Sequence, residues 1–595
     1  MSDTLKVKTR EEIEDKYKWK VGKIYQNDDL WEKDYEKLKA KAPSLLEYKG
    51  KLDDKKNLLK FLELRENILR LNEKLFVYAH LRNDENTQNP KYQGVRNKIS
   101  SLSSEVASYI SYFMPEIIDL SDEKYNEIIR DKEFLEYKFL FQDIRNLKEH
   151  TLSKDKEEII SALSDSLEAP SDIFNMLTFA DMKFGIIKDE NGNDTELTSS
   201  NYSIWLKSEN RAVREAAFKL MHNTFKKYEN TYAAMLTSSV KTFALNSKLR
   251  SYKSSIEASL KPNNIPVSVF DNTIEAVNDN IEVLHKYVKL KKKLLGLSEL
   301  HMYDLYTPVI KTPKFDIPYE KGVEIIKKAL KPLGKEYLDI FEYGIKSGWV
   351  DVYENQGKKG GAYSSGCYDT EPFVLLNYNN DVNSVSTLAH EMGHSIHTYY
   401  SNKTQPYQYA EYTLFCAEVA STTNENLLIN YLIDNEKDKN MRLYLINQEL
   451  ENIRTTLFRQ VMFAEFEKFS HESIEAGIPL TAEEMNKFYY DLNKKYFGDD
   501  IVVDKEIEIE WARIPHFYRD FYVYQYATGY SAAFTFAKRI LNKEEGALRD
   551  YFNFLKSGGS DYPINILKNS KVDMTVKEPI LNTIKRFDDL INMLS

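Results

Sequence analysis

The chain is poor in cysteine and has no long hydrophobic run. Two cysteines occur in 595 residues, Cys367 and Cys416, which is too few for a disulfide framework and favours a reducing compartment. No apolar run approaches the roughly 18 residues that a transmembrane helix needs. The residues from Met1 to Lys6 are followed by charged positions, without the apolar segment of a signal peptide. These absences predict a cytoplasmic protein without a membrane partner.

An excess of basic residues is also lacking. The chain has 82 lysines and arginines against 92 aspartates and glutamates, which gives a formal net charge of -10. A domain that binds nucleic acid is expected to carry a basic surface. The charge balance therefore argues against nucleic acid as a partner, and solubility is the simplest reason for the acidic surface.

The first third of the chain has the periodicity of amphipathic helices. Prolines at Asn89-Pro90, Met114-Pro115 and Ala169-Pro170 are expected to end or begin helices there. Apolar residues recur at helical spacing with charges between them, and we assign them to a core. They are Leu58, Phe61, Leu62, Ile68, Leu69, Leu75, Phe76 and Ala79.

A hairpin signal separates this part from the rest of the chain. Between Phe184 and Thr198, short alternating runs surround Asn191-Gly192, two residues that tolerate positive φ. We place the boundary of an N-terminal helical lobe, residues 1–198, just after this hairpin, and residues 199–595 form the second domain. Helical periodicity then resumes over 202–249, 267–297 and 319–345.

The helical pattern breaks again before the most informative motif. Two short strands are predicted over Gly361–Tyr368 and Phe373–Tyr378, and Asp381 or Asn383 can cap the helix that follows. The free edge of the first strand could pair with an extended peptide, although an ordinary packed hairpin fits the residues equally well. The edge residues in question are Gly361, Ala362 and Tyr363.

Two histidines one helical turn apart are the strongest chemical signal. His390 and His394 lie in a run whose apolar spacing and lack of proline predict a helix. A spacing of four residues puts both imidazoles on one helix face, close enough to bind a single ion. With Glu391 between them they form an HExxH arrangement, in which two histidines bind zinc and the glutamate is a general base toward water.

A zinc site that performs chemistry needs a third protein ligand. The extended metzincin motif is excluded, because His397 stands in its glycine position and Tyr400 in its last histidine position. A glutamate on a second helix remains, and Glu411, Glu418 and Glu425 are candidates spaced by seven residues. We choose Glu418, since its small and apolar neighbours suggest burial against the first helix.

Two other residues are expected to support the ligands. Glu425, two turns after Glu418, could accept the second ring proton of a ligating histidine and so fix its tautomer. His397 shares a helix face with the two ligand histidines, and we assign it a hydrogen-bonded or substrate-facing role, because Glu418 completes the set without it. For Glu411 a solvated or supporting role is expected.

These segments together resemble peptidase family M3, and in particular its oligoendopeptidase F branch. The likeness begins with residues 389–397 followed by 415–425. It extends to segments in the order expected for that branch, 361–366, 511–518, 522–529 and 558–563. The resemblance is strong from about residue 200 to about residue 590 and weak before that.

The resemblance implies a fold and a ligand set. The fold is mainly α: a two-lobed, predominantly helical metallopeptidase of zincin type, with a small β-sheet next to the HExxH helix and a deep substrate channel. By position, His390, His394 and Glu418 match the ligands of one zinc ion, and Glu391 matches the catalytic glutamate. Residues 199–595 become the M3-type catalytic domain, and the strand edge is favoured as a peptide-binding element.

The resemblance also assigns substrate-facing roles to His516, Tyr522 and Tyr526. The thimet oligopeptidase branch spaces the corresponding residues differently, and Tyr524 and Tyr530 compete for the same roles, so we leave those two unassigned. At helical spacing Tyr522 and Tyr526 share a face. Aromatic stripes are more often core than catalytic, yet a cleft offers a buried phenol the oxyanion of the reaction as a partner.

The expected function is hydrolysis of internal bonds in short peptides. Glu391 would take a proton from water and return it to the leaving amine, while Tyr526, assisted by His516 or Tyr522, would donate to the oxyanion. A zinc carboxypeptidase or dipeptidyl carboxypeptidase would share the ligands but needs a group, usually arginine, for the substrate carboxylate. A non-catalytic helical peptide-binding protein would hold no stoichiometric metal.

Overall fold

The computed structural model describes residues 7–311, 313 and 315–595. Contacts within the chain define two compact units, each assembled from three segments. The first unit comprises Met1–Lys148, Lys314–Tyr431 and Phe536–Val572, and the second comprises Glu149–Pro313, Leu432–Thr535 and Asp573–Ser595. The division of the sequence at residue 198 into two domains stays a prediction, because these units group residues by contact and each is discontinuous in sequence.

Helices make up most of both units, which confirms the predicted mainly α fold. The α-helices of the first unit are Asp28–Lys41, Lys55–Glu85, Pro90–Ile110, Phe113–Asp119, Asp122–Arg130, Lys138–Asn146, Tyr319–Ala329, Gly334–Ser347, Val382–Thr404, Tyr407–Ala410, Ala547–Ser557 and Pro563–Asn569. Those of the second unit are Lys154–Asn175, Tyr202–Trp205, Arg211–Lys226, Glu229–Leu249, Ser255–Leu260, Val267–Asn278, Glu282–Leu294, Lys439–Ile453, Arg459–Glu475, Ala482–Phe497 and Glu578–Leu594. Leu414–Asn435 and Tyr524–Leu541 contain residues of both.

Shorter helical turns connect these elements. The 3₁₀ turns are Asp15–Tyr17, Val21–Lys23, Ala42–Tyr48, Lys132–Tyr137, Lys148–His150, Lys261–Asn263, Met302–Asp304, Lys331–Leu333, Lys505–Arg513 and Pro515–Tyr518, and the π-helical segments are Met176–Asp181 and Arg454–Phe458. Among the described residues, no helix combines the length and the apolar composition that crossing a bilayer requires.

The β-structure of the described residues is confined to small sheets. Gly185–Lys188 pairs antiparallel with Asp194–Leu197, and Leu300–His301 pairs parallel with Ile501–Val502. In the third sheet, the central strand Phe373–Leu375 is parallel to one neighbour and antiparallel to the other. These neighbours are Val350–Asp351 and Tyr363–Ser365.

The predicted amphipathic helix and its core are confirmed, with one exception. The helix Lys55–Glu85 begins where the Asp54 side chain accepts a hydrogen bond from the Asn57 N–H. Six of the assigned core residues are buried, and Leu69 is partly buried against them. Assigning Phe76 to the core was wrong, since 37% of its surface is exposed.

Two of the three prolines mark helix starts as predicted. Pro90 opens the helix Pro90–Ile110, and Pro115 lies in the first turn of Phe113–Asp119. The prediction for Pro170 was wrong, because Lys154–Asn175 continues through it. The carbonyl four residues earlier, which loses its usual donor, belongs to the exposed Ser166, where water can replace that donor.

Both predicted β-hairpins are present. Gly192 adopts φ of 82° in the connection of the first, as the Asn191-Gly192 signal requires. The second is shorter than predicted, Tyr363–Ser365 with Phe373–Leu375, and Tyr363 pairs with Leu375. It lies against the following helix, because Ser364 Oγ and Ser395 Oγ are 2.8 Å apart.

The helix Val382–Thr404, called the HExxH helix below, begins at a side-chain cap. Asp381 accepts a hydrogen bond from the Ser384 N–H, so Asp381, and not Asn383, is the cap. Leu388, Met392 and Ile396 form its buried face at the spacing expected for a helix packed on one side.

The HExxH helix crosses a second helix at a glycine. A Cβ atom added to Gly393 would lie 2.6 Å from the Cα of Ser421 and 3.0 Å from the carbonyl oxygen of Ala420. Both neighbours are backbone atoms of Leu414–Asn435, called the glutamate helix below. The backbones of the two helices can therefore approach this closely only where a side chain is missing.

Replacing Gly393 by Ala should force the two helices apart. Overpacking at a close contact costs about 1 to 3 kcal/mol, so the variant should unfold at a lower temperature than the wild type in a thermal melt. Gly94→Ala is the matched control, since Gly94 lies in a helix with open space around it, and it should hold or raise the midpoint. Equal melting of wild type and Gly393→Ala would contradict the steric argument.

Candidate metal centre and active site

Three side chains of the first unit converge on one point. His390 and His394 leave one face of the HExxH helix, and their Nε2 atoms are 3.1 Å apart. Glu418 reaches them from the glutamate helix, with its Oε2 3.5 Å from His390 Nε2 and 3.8 Å from His394 Nε2. Within the described part of the chain, this is the group of potential ligands that comes together at metal-binding spacing.

The size of this triangle fits a first-row metal ion. A circle through the three atoms has a radius of about 2.0 Å, and bonds from zinc to histidine nitrogen or carboxylate oxygen are about 2.0 to 2.2 Å. Two imidazoles and one carboxylate are also a known ligand set of catalytic zinc, which leaves a fourth position for water or substrate. The donor atoms and their spacing therefore match the expected cofactor.

The prediction that Glu418 is buried was wrong for its carboxylate. Its neighbours Phe415, Cys416, Val419 and Ala420 are buried, whereas 42% of the Glu418 side chain is exposed. The apolar neighbours pack the other faces of the glutamate helix. Glu418 itself points to the open side, as a ligand must when water and substrate have to reach the ion.

Glu425 holds the first histidine from behind. Its Oε2 lies 3.2 Å from His390 Nδ1, so the carboxylate holds the Nδ1 proton, and Nε2 is the ring nitrogen turned toward the other candidate ligands. Burial lowers the pKa of His390, but the Glu425 carboxylate outweighs it and raises this pKa to about 9. Ser386 Oγ, 3.3 Å from Glu425 Oε1, orients the carboxylate in turn.

The other two histidines of this helix have different surroundings. His394 makes a hydrogen bond with the backbone of Ala417, and burial lowers its pKa to about 3, so its ring is neutral and able to bind a metal. His397 is 1% exposed and stacks on Tyr412 at a centroid distance of 3.7 Å. Its ring packs in an aromatic site apart from the ligand group, and its supporting role stays a prediction.

Glu391 is buried beside the ligands. Only 7% of its surface is exposed, and burial raises the pKa of its carboxyl to about 7. Its carboxylate accepts a hydrogen bond from the backbone of Ser364 in the strand Tyr363–Ser365. A carboxyl whose pKa lies near neutral pH can both accept and return a proton, which is what a general base in hydrolysis must do.

The strand Tyr363–Ser365 has one paired edge and one outer edge. In the central strand, the Val374 N–H donates to the Trp349 carbonyl, away from the strand Tyr363–Ser365. The backbone groups of the next residue, Leu375, are therefore directed at Tyr363. Backbone groups alternate in direction along a strand. The groups of Ser364 therefore point to the outer edge, whereas those of Tyr363 are directed at the sheet.

The predicted edge residues thus differ in what they offer a peptide. The Tyr363 hydroxyl donates to Asp84 Oδ2 at 2.9 Å, and its ring lies against Trp19 and His80, so its side chain serves packing. Gly361 precedes the strand with φ of 83°, a conformation that favours glycine. Ser364, absent from the sequence prediction, could have been found by the alternation of backbone groups along the strand.

His516, Tyr522 and Tyr526 form a cluster of their own in the second unit. The Tyr526 hydroxyl lies 3.3 Å from His516 Nε2. The Tyr522 ring stacks on His516 at 5.9 Å and meets Tyr526 edge-on at 5.5 Å. Burial and Arg519 lower the pKa of His516, which favours a neutral ring that can hydrogen-bond to a phenol.

The prediction that Tyr522 and Tyr526 share one face of a helix was wrong. Tyr522 lies before the helix Tyr524–Leu541, and Tyr526 lies in its first turn. Tyr524 and Tyr530 are 1% and 5% exposed, so they belong to the core. Tyr522 and Tyr526 are only partly buried, and their contact with a substrate stays a prediction.

A buried glutamate holds the loop that carries Tyr522. Glu467, on the helix Arg459–Glu475, accepts a hydrogen bond from the Phe521 N–H at 3.0 Å, and the N–H groups of Tyr522 and Val523 also face its carboxylate. Phe521 has φ of 58°, a costly conformation for an aromatic residue. Sequence reasoning missed Glu467. A glutamate beside Phe466 on an apolar helix face was the available signal.

The ligand triangle and the buried base define the class of protein. A helical chain that presents two histidines and a glutamate to one ion, next to a carboxyl titrating near neutral pH, is a metallopeptidase in its site chemistry. Three comparisons with known proteins agree with this class. A model of peptidase family M3 matches residues 204–586, and one described as oligopeptidase F matches residues 116–184.

Similar proteins extend over nearly the whole chain. A Bacillus subtilis (strain 168) protein named oligopeptidase PepF is 44% identical over 585 residues, which are 98% of this chain and 87% of that protein. A crystal structure from Chlamydophila abortus superposes with a TM-score of 0.94 at 37% identity and covers 99% of both chains. The oligoendopeptidase-F structure from Enterococcus faecium has a TM-score of 0.74 at 38% identity, over 95% of this chain and 98% of that one.

The chain therefore belongs to peptidase family M3. It is a metalloendopeptidase that hydrolyses oligopeptides, with the oligoendopeptidase F proteins as its relatives. A metal cofactor follows from the family, and the group His390, His394 and Glu418 is available to hold it.

Replacing Glu425 by Gln should weaken metal binding without removing a ligand. The amide keeps the size of the side chain but loses the charge that orients and polarises His390, and loss of such a partner costs about 10- to 100-fold in metal affinity. Competition with a chelating dye would measure it. Glu411→Gln, at an exposed glutamate one heptad before Glu418, is the control and should bind as the wild type does. Unchanged affinity in Glu425→Gln would remove this role.

Proposed function

We propose that the metal is one zinc ion held by His390, His394 and Glu418, and that Glu391 is the general base of peptide hydrolysis. The observation that carries this proposal is the ligand triangle, whose radius of about 2.0 Å fits zinc bonds of about 2.0 to 2.2 Å. The substrates are short peptides, and the cut falls on internal bonds.

The bound ion and the protein divide the chemistry. Zinc, when bound, acts as a Lewis acid toward the scissile carbonyl and makes water more acidic. Glu391 accepts the proton of the attacking water, holds it, and delivers it to the leaving amine. Its pKa of about 7 makes both transfers possible near neutral pH.

We assign Tyr526 as the donor to the carbonyl oxygen as negative charge builds on it. The phenol is partly buried and is oriented by His516 at 3.3 Å. The hydroxyl of Tyr522 and the ring of His516 assist. Support comes from the match of all three residues to the family pattern and from their mutual contacts.

The peptide backbone would be held by the strand edge at Ala362 and at the Ser364 carbonyl, since the Ser364 N–H is given to Glu391. An extended chain added to an outer strand edge gains main-chain hydrogen bonds that do not depend on its sequence, which suits an enzyme of oligopeptides. The same strand gives a hydrogen bond to Glu391, so peptide and base would be aligned by one element.

The cysteines support a reducing compartment, and we infer that the enzyme works in the cytoplasm. Cys367 and Cys416 are both free, and burial raises the pKa of each thiol to about 12. Neither thiol is therefore reactive at neutral pH.

Replacing Glu391 by Gln is the direct test of the base. The variant should keep one zinc per chain by elemental analysis, while kcat/KM for a C-terminally amidated peptide falls by about 100- to 10,000-fold. The wild type should cut that peptide internally and stop when a chelator is added, as followed by mass spectrometry.

Two results would overturn this assignment. Near-native turnover in Glu391→Gln would exclude Glu391 as the base, and loss of wild-type cleavage on amidation would replace the endopeptidase by a carboxypeptidase. Glu411→Gln is the control for the general effect of a glutamate substitution and should leave both metal content and turnover unchanged.

Replacing Tyr526 by Phe should lower kcat much more than it changes KM. A donor that acts on the oxyanion contributes in the transition state, and loss of one such donor costs about 100- to 1,000-fold in kcat. Steady-state kinetics on one peptide would measure both constants. Tyr228→Phe, at an exposed tyrosine of the same unit, is the control. An effect confined to KM would reduce Tyr526 to a binding residue.

A further inference from the structure

A cavity of about 310 Å³ opens beside the strand edge in the first unit. One wall is the chain at Gly361 and Ala362, directly before the strand Tyr363–Ser365. The start of the HExxH helix also lines the cavity, with Asn383 and Thr387. A space of this size can take one long side chain of a peptide.

The cavity lies on the same helix face as the metal ligands. Asn383, Thr387, His390 and His394 follow one another at intervals of four, three and four residues, and residues at this spacing project from one side of a helix. A peptide that lies along the strand edge with its scissile bond at the histidines would therefore also pass the cavity. A side chain near the cleaved bond would enter it.

Two polar side chains of the cavity, Asn377 and Thr387, offer hydrogen-bond acceptors. The Asn377 side-chain amide donates both of its protons to backbone carbonyls, those of Lys359 at 3.1 Å and Gly361 at 2.8 Å. The Thr387 hydroxyl proton goes to the Asn383 carbonyl at 2.9 Å. Asn377 Oδ1 and Thr387 Oγ1 keep lone pairs, so these two groups suit a ligand that donates hydrogen bonds.

The net charge of the cavity lining is negative and favours a cationic ligand. Asp381 lines it and spends one carboxylate oxygen on the Ser384 N–H. The helix N-terminus carries about half a positive charge, which the full negative charge of Asp381 exceeds. The two lysines that precede Gly360 are paired elsewhere, Lys358 with Asp351 at 2.7 Å and Lys359 with Asp84 at 3.2 Å.

We propose that this cavity is a substrate subsite that selects a cationic side chain, lysine or arginine, at one position near the cleaved bond. Asp381 supplies the charge, and the oxygens of Asn377 and Thr387 accept the remaining hydrogen bonds. The proposal rests on the proposed function, since it needs the peptide to lie along the strand edge beside the metal ligands.

The test uses the full-length zinc enzyme and matched peptides. Sets of otherwise identical peptides carry lysine, norleucine or glutamate at each position near the cleaved bond. Norleucine keeps the length of lysine without its charge. We expect one position at which lysine gives the highest kcat/KM, by about tenfold over norleucine, and glutamate the lowest.

Asp381→Asn should reduce this ratio of lysine to norleucine toward one. Asparagine caps a helix about as well as aspartate, so the variant loses the charge and keeps the start of the helix. Asp438→Asn is the matched control, because Asp438 caps Lys439–Ile453 in the same way, and it should leave the ratio unchanged.

The outcomes separate this proposal from the proposed function. Cleavage with no position that prefers lysine, or a preference that Asp381→Asn leaves intact, would overturn the subsite. Failure to cleave any peptide would instead overturn the hydrolytic mechanism. In that case, calorimetry would measure the binding of the same peptides to the Glu391→Gln variant and so still test the subsite. Tighter binding of the lysine peptide would support the proposal, and equal binding would contradict it.

Discussion

The candidate metal centre depends on how closely the HExxH helix approaches the glutamate helix. His390 and His394 are fixed relative to each other by one helical turn, but Glu418 comes from another helix, and its distance is set by the packing of the two backbones. That packing is possible because Gly393 has no side chain where the backbone of Ser421 passes. A gap widened by even an ångström would exceed the tolerance of a metal–ligand bond.

A buried hydrogen bond prevents the two helices from sliding along each other, which their close packing alone would allow. The side-chain amide of Asn424 donates to the carbonyl of Ala389 at 3.0 Å and accepts from the Tyr337 hydroxyl at 2.9 Å. All of these groups are buried, so an unpaired partner would be costly. The glycine sets the distance between the two helices, and Asn424 sets how far one can slide along the other.

The HExxH motif could be predicted from the sequence because it depends on helical spacing. The exposure of Glu418, the strand edge and the loop of Tyr522 depend on tertiary contacts. Two histidines four residues apart must share a helix face, and Glu425 two turns beyond Glu418 must share its stripe, so the proximity of the candidate ligands and of the group behind His390 was predictable. The exposure of the Glu418 carboxylate was not, since its neighbours in sequence pack on other sides of the helix. The outer edge at Ser364 required the strand register, and the loop position of Tyr522 required knowing that the helix begins at Tyr524.

A costly local conformation in the second unit occurs next to a proposed site residue. Phe521 adopts a left-handed backbone that an aromatic residue rarely takes, and it directly precedes Tyr522. A glycine there would remove the strain but would also free the loop. The Phe521 ring is 2% exposed and packs edge-on against Phe270, and Glu467 accepts the hydrogen bond of its N–H. Burial of the ring and a carboxylate acceptor thus offset the backbone strain, and the direction in which Tyr522 leaves the chain is fixed by contacts and not by local preference.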